Sequence, residues 1–404
     1  MNIKSFLLGS AAAMIAVNGA QAADAIVVEP EPVEYVRVCD AYGSGFFFIP
    51  GTETCIRLGG FVRSSYEKDY LDISNTAGVT TSEESRTFWG QRARLNVDVR
   101  NETDYGTLRA LYRLEAGDSN TDADIDMDIA LISLAGFRAG FAGANYWTSN
   151  HNFAGVNFQA IGSAFTPNVD EGWYGFDDAT IFDYTWSVDG FSITVGVEDP
   201  RISQAGRAVS PNTAGNGNNT NSGGADGRAN FYAGANFTYD KVTVAFTAVH
   251  DSLAVSQTDS GTGGWAYKVS ADLDLSEYVP GGVLHGMFMT DENYRTDYVH
   301  NWGGLYDPEY IWQASFQSDV TDELQFVAQY SYADGDDTEG DGWNAGIGLN
   351  YFPSAAPGLS LNASYKFGEI ENADTGVAGG VAGDGIPDTN IEMNGWFVGV
   401  RRNF

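Results

Sequence analysis

Apolar and polar residues alternate with a period of two through sixteen segments of this chain, the pattern of β-strands with one face against apolar surroundings and the other against water. The segments are 55–66, 87–100, 106–116, 126–134, 137–144, 179–188, 191–199, 229–239, 242–251, 264–273, 283–291, 309–318, 324–332, 342–352, 359–368 and 391–404. Segment 87–100 carries the pattern most sharply. Trp89, Ala93, Leu95, Val97 and Val99 hold odd positions, while Arg92, Arg94, Asn96, Asp98 and Arg100 hold even ones. A slip of one residue would turn three arginines toward the apolar side, at about 2–4 kcal/mol each if that side is the middle of a bilayer. Segment 106–116 sets Leu108, Ala110, Tyr112 and Leu114 against Arg109, Arg113 and Glu115, and segment 55–66 sets Ile56, Leu58 and Val62 against Arg57 and Arg63. Later segments keep an apolar face (Phe326, Ala328 and Tyr330; Ala345, Ile347 and Leu349) and line the other with Gln, Asn, Ser and Gly, so that face is expected to be polar and wet.

The connections alternate in length. Segments 101–105, Ala135-Gly136, Asp189-Gly190, Asp240-Lys241, 274–282, 319–323 and 353–358 are short; 67–86, 117–125, 145–178, 200–228, 252–263, 292–308, 333–341 and 369–390 are long. Short turns on one rim and long loops on the other are the plan of a transmembrane β-barrel in an outer membrane, with the short rim in the periplasm. Trp89, Trp265, Tyr332 and Trp343 lie toward the long loops, and Trp186, Tyr239, Tyr351 and Phe404 toward the short turns, as two interfacial belts. A soluble β-sandwich would show the same alternation. The steady strand count, the one-sided loops and the terminal phenylalanine favour an all-β, 16-stranded antiparallel transmembrane barrel.

Composition agrees. The 404 residues are 13% aromatic and include 49 glycines but 11 prolines, a stock of strand and turn formers. The formal net charge of −33 disfavours nucleic acid as a partner. Lys4, the apolar stretch 6–17 and Ala20-Gln21-Ala22 predict a cleaved export signal over 1–22, followed by an N-terminal periplasmic segment 23–54 and a barrel over 55–404. In an exported chain the two cysteines, Cys39 and Cys55, most simply pair, closing a loop worth about 3 kcal/mol on the chain-entropy argument. No metal or cofactor is expected: two thiols without a neighbouring histidine do not complete a zinc shell, and the acidic runs 118–128 and 334–341 do not fit an EF-hand. An enzyme would need a base, yet His151, His250, His285 and His300 lie in no recognisable motif, and His250 and His285 read as solvated residues at strand ends.

Val36-Arg37-Val38-Cys39-Asp40-Ala41-Tyr42-Gly43, then Phe46 to Pro50, then Gly51-Thr52-Glu53-Thr54-Cys55-Ile56-Arg57-Leu58-Gly59-Gly60-Phe61-Val62-Arg63, resembles the N-terminal signature of the alphaproteobacterial general diffusion porins. The likeness continues more loosely through 136–140, 190–194, 237–240 and the final strand. It implies a homotrimeric channel in the bacterial outer membrane, in contact with lipid and lipopolysaccharide and open to small hydrophilic solutes and ions. Trp396, Val398, Val400 and Phe404 are similar to the C-terminal signal that the barrel-assembly machinery reads; Arg402 departs from it and can snorkel to the headgroups.

Connection 145–178 is the longest and carries Tyr146, Trp147, Phe153, Phe158, Phe165, Trp173, Tyr174 and Phe176, too much apolar surface for a loop in water. It is expected to fold into the barrel as the third outer loop does in the porins it resembles, with Asp170, Glu171, Asp177 and Asp178 toward the pore. Opposite them stand Arg57, Arg63, Arg92, Arg94, Arg100, Arg109 and Arg113, all on the polar parity of three consecutive strands. A basic wall facing an acidic loop sets up a transverse field, effective only within a Debye length of about 8 Å and hence only in a constriction. The same arginines could instead brace the loop through its carboxylates. The acidic total argues for a weak cation preference, which the interior arginines oppose. A substrate-specific channel for sugars or anions remains the alternative to a general one, with a barrel enzyme behind it.

Overall fold

The computed structural model describes residues 37–75, 80–119, 125–142, 146–150, 179–199, 229–252, 263–292, 308–335, 341–373 and 389–404. A two-residue strand, β1 (Phe47–Phe48), precedes the sixteen of the barrel. These are β2 (Cys55–Asn75), β3 (Thr80–Thr103), β4 (Gly106–Ser119), β5 (Ile125–Leu134), β6 (Phe137–Ala142), β7 (Ala179–Val188), β8 (Phe191–Glu198) and β9 (Asn230–Tyr239) on one half. The other half is β10 (Val242–Asp251), β11 (Gly264–Asp274), β12 (Val283–Asp291), β13 (Pro308–Thr321), β14 (Leu324–Gly335), β15 (Gly342–Tyr351), β16 (Leu359–Ala373) and β17 (Thr389–Asn403). Each pairs antiparallel with its neighbours in sequence, and β17 pairs with β2 to close the ring. Closure leaves no row of unpaired backbone groups facing lipid, the condition a strand protein must meet to cross a membrane. No helix among the described residues is long and apolar enough to cross one.

All sixteen predicted strands are present. The largest departure is the hairpin of β2 and β3, which runs on through what the alternation assigned to a long loop. Its outward positions 68, 70, 72 and 74 are Lys, Tyr, Asp and Ser, and they stand beyond the lipid-facing pair Tyr66 and Trp89, whose rings meet at 4.6 Å. Apolar alternation ends where the lipid ends, although the hydrogen-bond ladder continues. At the short rim, Ala135 (φ 52°) with Gly136 (φ 90°) and Asp189 (φ 38°) with Gly190 (φ 76°) put two successive residues in the left-handed region, the geometry that matches strand twist in a two-residue hairpin.

Outward faces are apolar and aromatic. Tyr310, Trp312, Tyr330, Tyr332, Trp343 and Phe367 form a continuous girdle toward the long loops, with ring centroids 5.2–6.4 Å apart. Trp186, Tyr239 and Phe404 are exposed toward the short turns. Inward faces carry Gln313, Ser315, Gln329, Ser331, Asn344, Asn350, Asn362 and Lys366, all buried. The polar interior is interrupted by an apolar cluster on some inward positions, beside buried polar ones such as Glu198, Asn230 and Asp251. Near the long-loop rim the inward positions include Ile181, Val249, Met289, Ile311, Ile370, Ile391 and Met393, in one buried cluster with Tyr146 and Trp147.

Cys39 and Cys55 are joined, with their Cα atoms 6.1 Å apart. β17 stops pairing with β2 at Asn403 and Phe61, and Phe404 exchanges backbone hydrogen bonds with Gly60. β1 then takes over the free edge of β2, Phe47 opposite Ile56 and Phe48 opposite Cys55. Trp396, Val398 and Val400 are exposed on the outer face. Arg402 shares their parity, but its Nη1 donates to Pro357 O at 2.5 Å and Asn403 O at 2.7 Å, so it is pinned to a short-rim turn. The export signal and residues 23–36 lie outside the described residues.

Candidate functional site

β2, β3 and β4 place the seven predicted arginines on the inward face as one wall, and the wall supplies their carboxylates. Asp98, whose side chain is 3% exposed, accepts from Arg57 at 3.4 Å, Arg100 at 2.8 Å and Arg109 at 3.0 Å. Nearer the middle of the barrel, Glu115 meets Arg92 at 2.6 Å and Arg94 at 2.5 Å, and Asp128 meets Arg113 at 3.0 Å and Arg94 at 3.7 Å. Most are cross-strand or diagonal neighbours; Arg100 and Asp98 lie two apart on β3, and Arg94 reaches Asp128 across β4. Among the described residues, these three carboxylates meet six of the seven guanidinium groups.

Register extends the wall by one strand. Arg63 stands directly opposite Arg92 on β3 and directly opposite Arg401 on β17. Like charges directly opposite one another repel, and here an aromatic face and an amide share the load. The Arg401 guanidinium lies 3.9 Å from the centroid of Phe61, and its Nε donates to Asn403 Oδ1 at 2.9 Å. Arg401 was legible in the sequence: with Trp396, Val398 and Val400 outward, position 401 must point in.

Eight strands around a ring of sixteen from β3 lies β11, and that far wall receives the start of connection 145–178. A single helical turn, α1 (Tyr146–Ser149), enters the lumen there. The Tyr146 ring stacks on Tyr232 at 4.6 Å, and its backbone N–H donates to Glu198 Oε2 at 3.4 Å. Trp147 is fully buried; its carbonyl accepts from Lys268 Nζ, which also lies 5.3 Å from the Trp147 ring centroid. Asn150 Nδ2 donates to Thr247 Oγ1 at 2.8 Å. Two glycines make room. A Cβ on Gly234 would run into the Tyr146 ring, and one on Gly196 would lie 2.5 Å from both Asp183 and Tyr232. The gap at Gly196 lets Tyr232 donate to Asp183 at 2.7 Å across β8, where Asp183 also binds Arg138 at 2.6 Å. Sequence reasoning passed over Arg138, Asp183, Tyr232 and Lys268, because their partners come from strands far apart in the chain. Asp170, Glu171, Asp177 and Asp178 lie outside the described residues.

Of the four histidines, His285 does not sit at a solvated strand end as expected. Its side chain is buried, with Nδ1 on Asp272 of the adjoining strand. Among the described residues no group of three or more His, Cys, Asp or Glu side chains could hold a metal ion.

A closed sixteen-strand barrel with an apolar outside, a charged inner wall and a helical turn docked on its far inner face defines a membrane channel. The sequence places this one: the profile of the porin subfamily matches residues 24–394, and the chain belongs to that family. Porin Omp2b of Brucella canis is 33% identical over 323 residues, covering 75% of this chain and 78% of that protein. Porin Omp2a of Brucella ovis is 43% identical over 180 residues, covering 38% of this chain and 49% of that protein. In fold, the chain is similar to the outer membrane channel DcaP of Acinetobacter baumannii (TM-score 0.59, 13% identity, covering 88% of this chain and 99% of that one). It is also similar to the anion-selective porin of Comamonas acidovorans (TM-score 0.52, 15% identity, covering 87% and 100%). A further fold match is the trimer form of OmpT of Vibrio cholerae (TM-score 0.51, 14% identity, covering 87% and 100%). The chain is an outer-membrane general diffusion porin, and its family implies a channel rather than an enzyme.

Proposed function

We propose that the passage for small hydrophilic solutes and ions is narrowest between the basic wall and connection 145–178. Arg57, Arg63, Arg92, Arg94, Arg100, Arg109 and Arg113, joined by Arg401, supply the positive side. Asp170, Glu171, Asp177 and Asp178 supply the negative side. The observation that carries this reading is the docking of Tyr146, Trp147 and Asn150 on β9, β10 and β11, across the lumen from the arginines. Transverse charge of opposite sign aligns polar solutes and penalises apolar ones, because the two walls lie within a screening length only where the bore is narrow. The porin works as a homotrimer, in contact with lipid and lipopolysaccharide, and is inserted by machinery that reads Trp396, Val398, Val400 and Phe404.

The test is Arg92→Ala with Arg94→Ala in planar bilayers and in liposomes swelling with sugars of graded size. The reversal potential in a salt gradient should move toward cations, and larger sugars should enter faster, with the barrel still folded. Wild-type values of both would defeat the reading. Uptake of one sugar or anion far above its size class would point to a substrate-specific channel instead.

A further inference from the structure

Phe46 is 1% exposed although it precedes the barrel, and what covers it is part of the basic wall. The Arg57 guanidinium carbon lies 4.8 Å from its ring centroid and that of Arg100 lies 4.9 Å away; Arg100 also stands 5.7 Å from the Tyr42 ring. Both arginines meet Asp98 on their other side, at 3.4 Å and 2.8 Å. Covalent structure fixes the ring in place. The disulfide ties Cys39 to Cys55, Cys55 lies directly opposite Arg100 in register, and Arg57 lies directly opposite Asp98. Gly45 sits at φ +84°, a left-handed turn that favours glycine and brings the chain alongside the Arg57 stem. Cys39, Phe46 and Cys55, with Tyr42 and Phe48 against them, form a small apolar core at the short-turn mouth.

We propose that Phe46 is a positioning residue for ion selectivity. The disulfide-closed segment 39–55 holds its ring against Arg57 and Arg100 and fixes where positive charge stands at the periplasmic mouth. An arginine has a long flexible stem, and a guanidinium free to swing in water is screened and averaged over many positions. Clamped between a carboxylate and an aromatic face, it presents its charge at one place. The two side chains remain 46% and 23% exposed, so the clamped groups still face the bore. This inference rests on the reading that the wall governs selectivity, and the experiment separates the two.

Wild-type porin, Phe46→Leu, Phe46→Tyr and the double variant Arg57→Ala with Arg100→Ala are compared by reversal potential in a potassium chloride gradient, each first shown to fold by heat-modifiable migration in gels. The double variant should lower the anion-to-cation permeability ratio. Phe46→Leu, which keeps apolar bulk without the aromatic face, should shift it the same way by roughly twofold, and Phe46→Tyr should restore it. A wild-type ratio in folded Phe46→Leu beside a shifted double variant overturns the inference alone. An unshifted double variant overturns the reading beneath it as well. If Phe46→Leu does not insert, Cys39→Ala with Cys55→Ala releases the same ring, and a wild-type ratio in that protein is equally fatal.

Discussion

Asp98 holds much of the wall together, because three guanidinium groups converge on one almost buried carboxylate. Asp98→Asn removes the charge and keeps the shape. It should cost about 1–3 kcal/mol of stability by the worth of hydrogen bonds to charged groups, and it should raise the anion preference, since the arginines remain. Thermal unfolding in detergent and reversal potential read the two effects; a destabilised variant with unchanged selectivity would make Asp98 a purely structural group. Gly234 offers the matching test on the far wall. Gly234→Ala drives a Cβ into the Tyr146 ring, so the first turn of connection 145–178 must move. Faster entry of larger sugars is the expected outcome, and unchanged size exclusion would show that this turn does not limit the bore. At this scale the arginines were legible because arginine on one strand parity has few uses. Their partners were not: Tyr232 reaches Asp183 across an intervening strand, over a glycine, and no spacing along the chain encodes that.

Strands were read from alternation, and alternation works only where one face is lipid. β7 (Ala179–Val188) and β10 (Val242–Asp251) have the limits predicted for them, since their whole length faces lipid on one side. The hairpin of β2 and β3 was cut short, since its outward face there, Lys68, Tyr70, Asp72 and Ser74, no longer meets lipid and the apolar alternation stops. Turns have their own chemistry. In the short-rim turn between β13 and β14, Glu323 accepts from the Ser354 N–H at 2.7 Å and from the Tyr351 hydroxyl at 3.1 Å, and these bonds hold its carboxyl below the usual carboxylate value. A depressed folded value means that the stabilisation is present above the unfolded pKa of about 4.3 and is lost as pH falls through the folded one. Glu323→Gln should therefore melt below wild type at neutral pH and converge with it in acid. A difference that stays constant with pH would refute the role of the charge.

For the whole molecule, the ring is the unit on which function depends. Ile347 points outward from the middle of β15 and is 51% exposed, so Ile347→Arg sets a charge in hydrocarbon. The expected cost is about 2–4 kcal/mol, seen as loss of the folded, heat-modifiable form. Normal insertion would contradict the assignment of that face to lipid. Parity along the chain determined by itself which side chains meet lipid and which meet the lumen, and with that the strand count, the basic wall and the membrane that holds it, because a two-residue period is a local property of the backbone. What closure alone decided is which walls confront each other: Arg401 beside Arg63 from opposite ends of the chain, and α1 across the bore from the arginines. Those juxtapositions depend on the number of strands in the ring and their register, which join residues hundreds of positions apart and leave no trace in any local pattern.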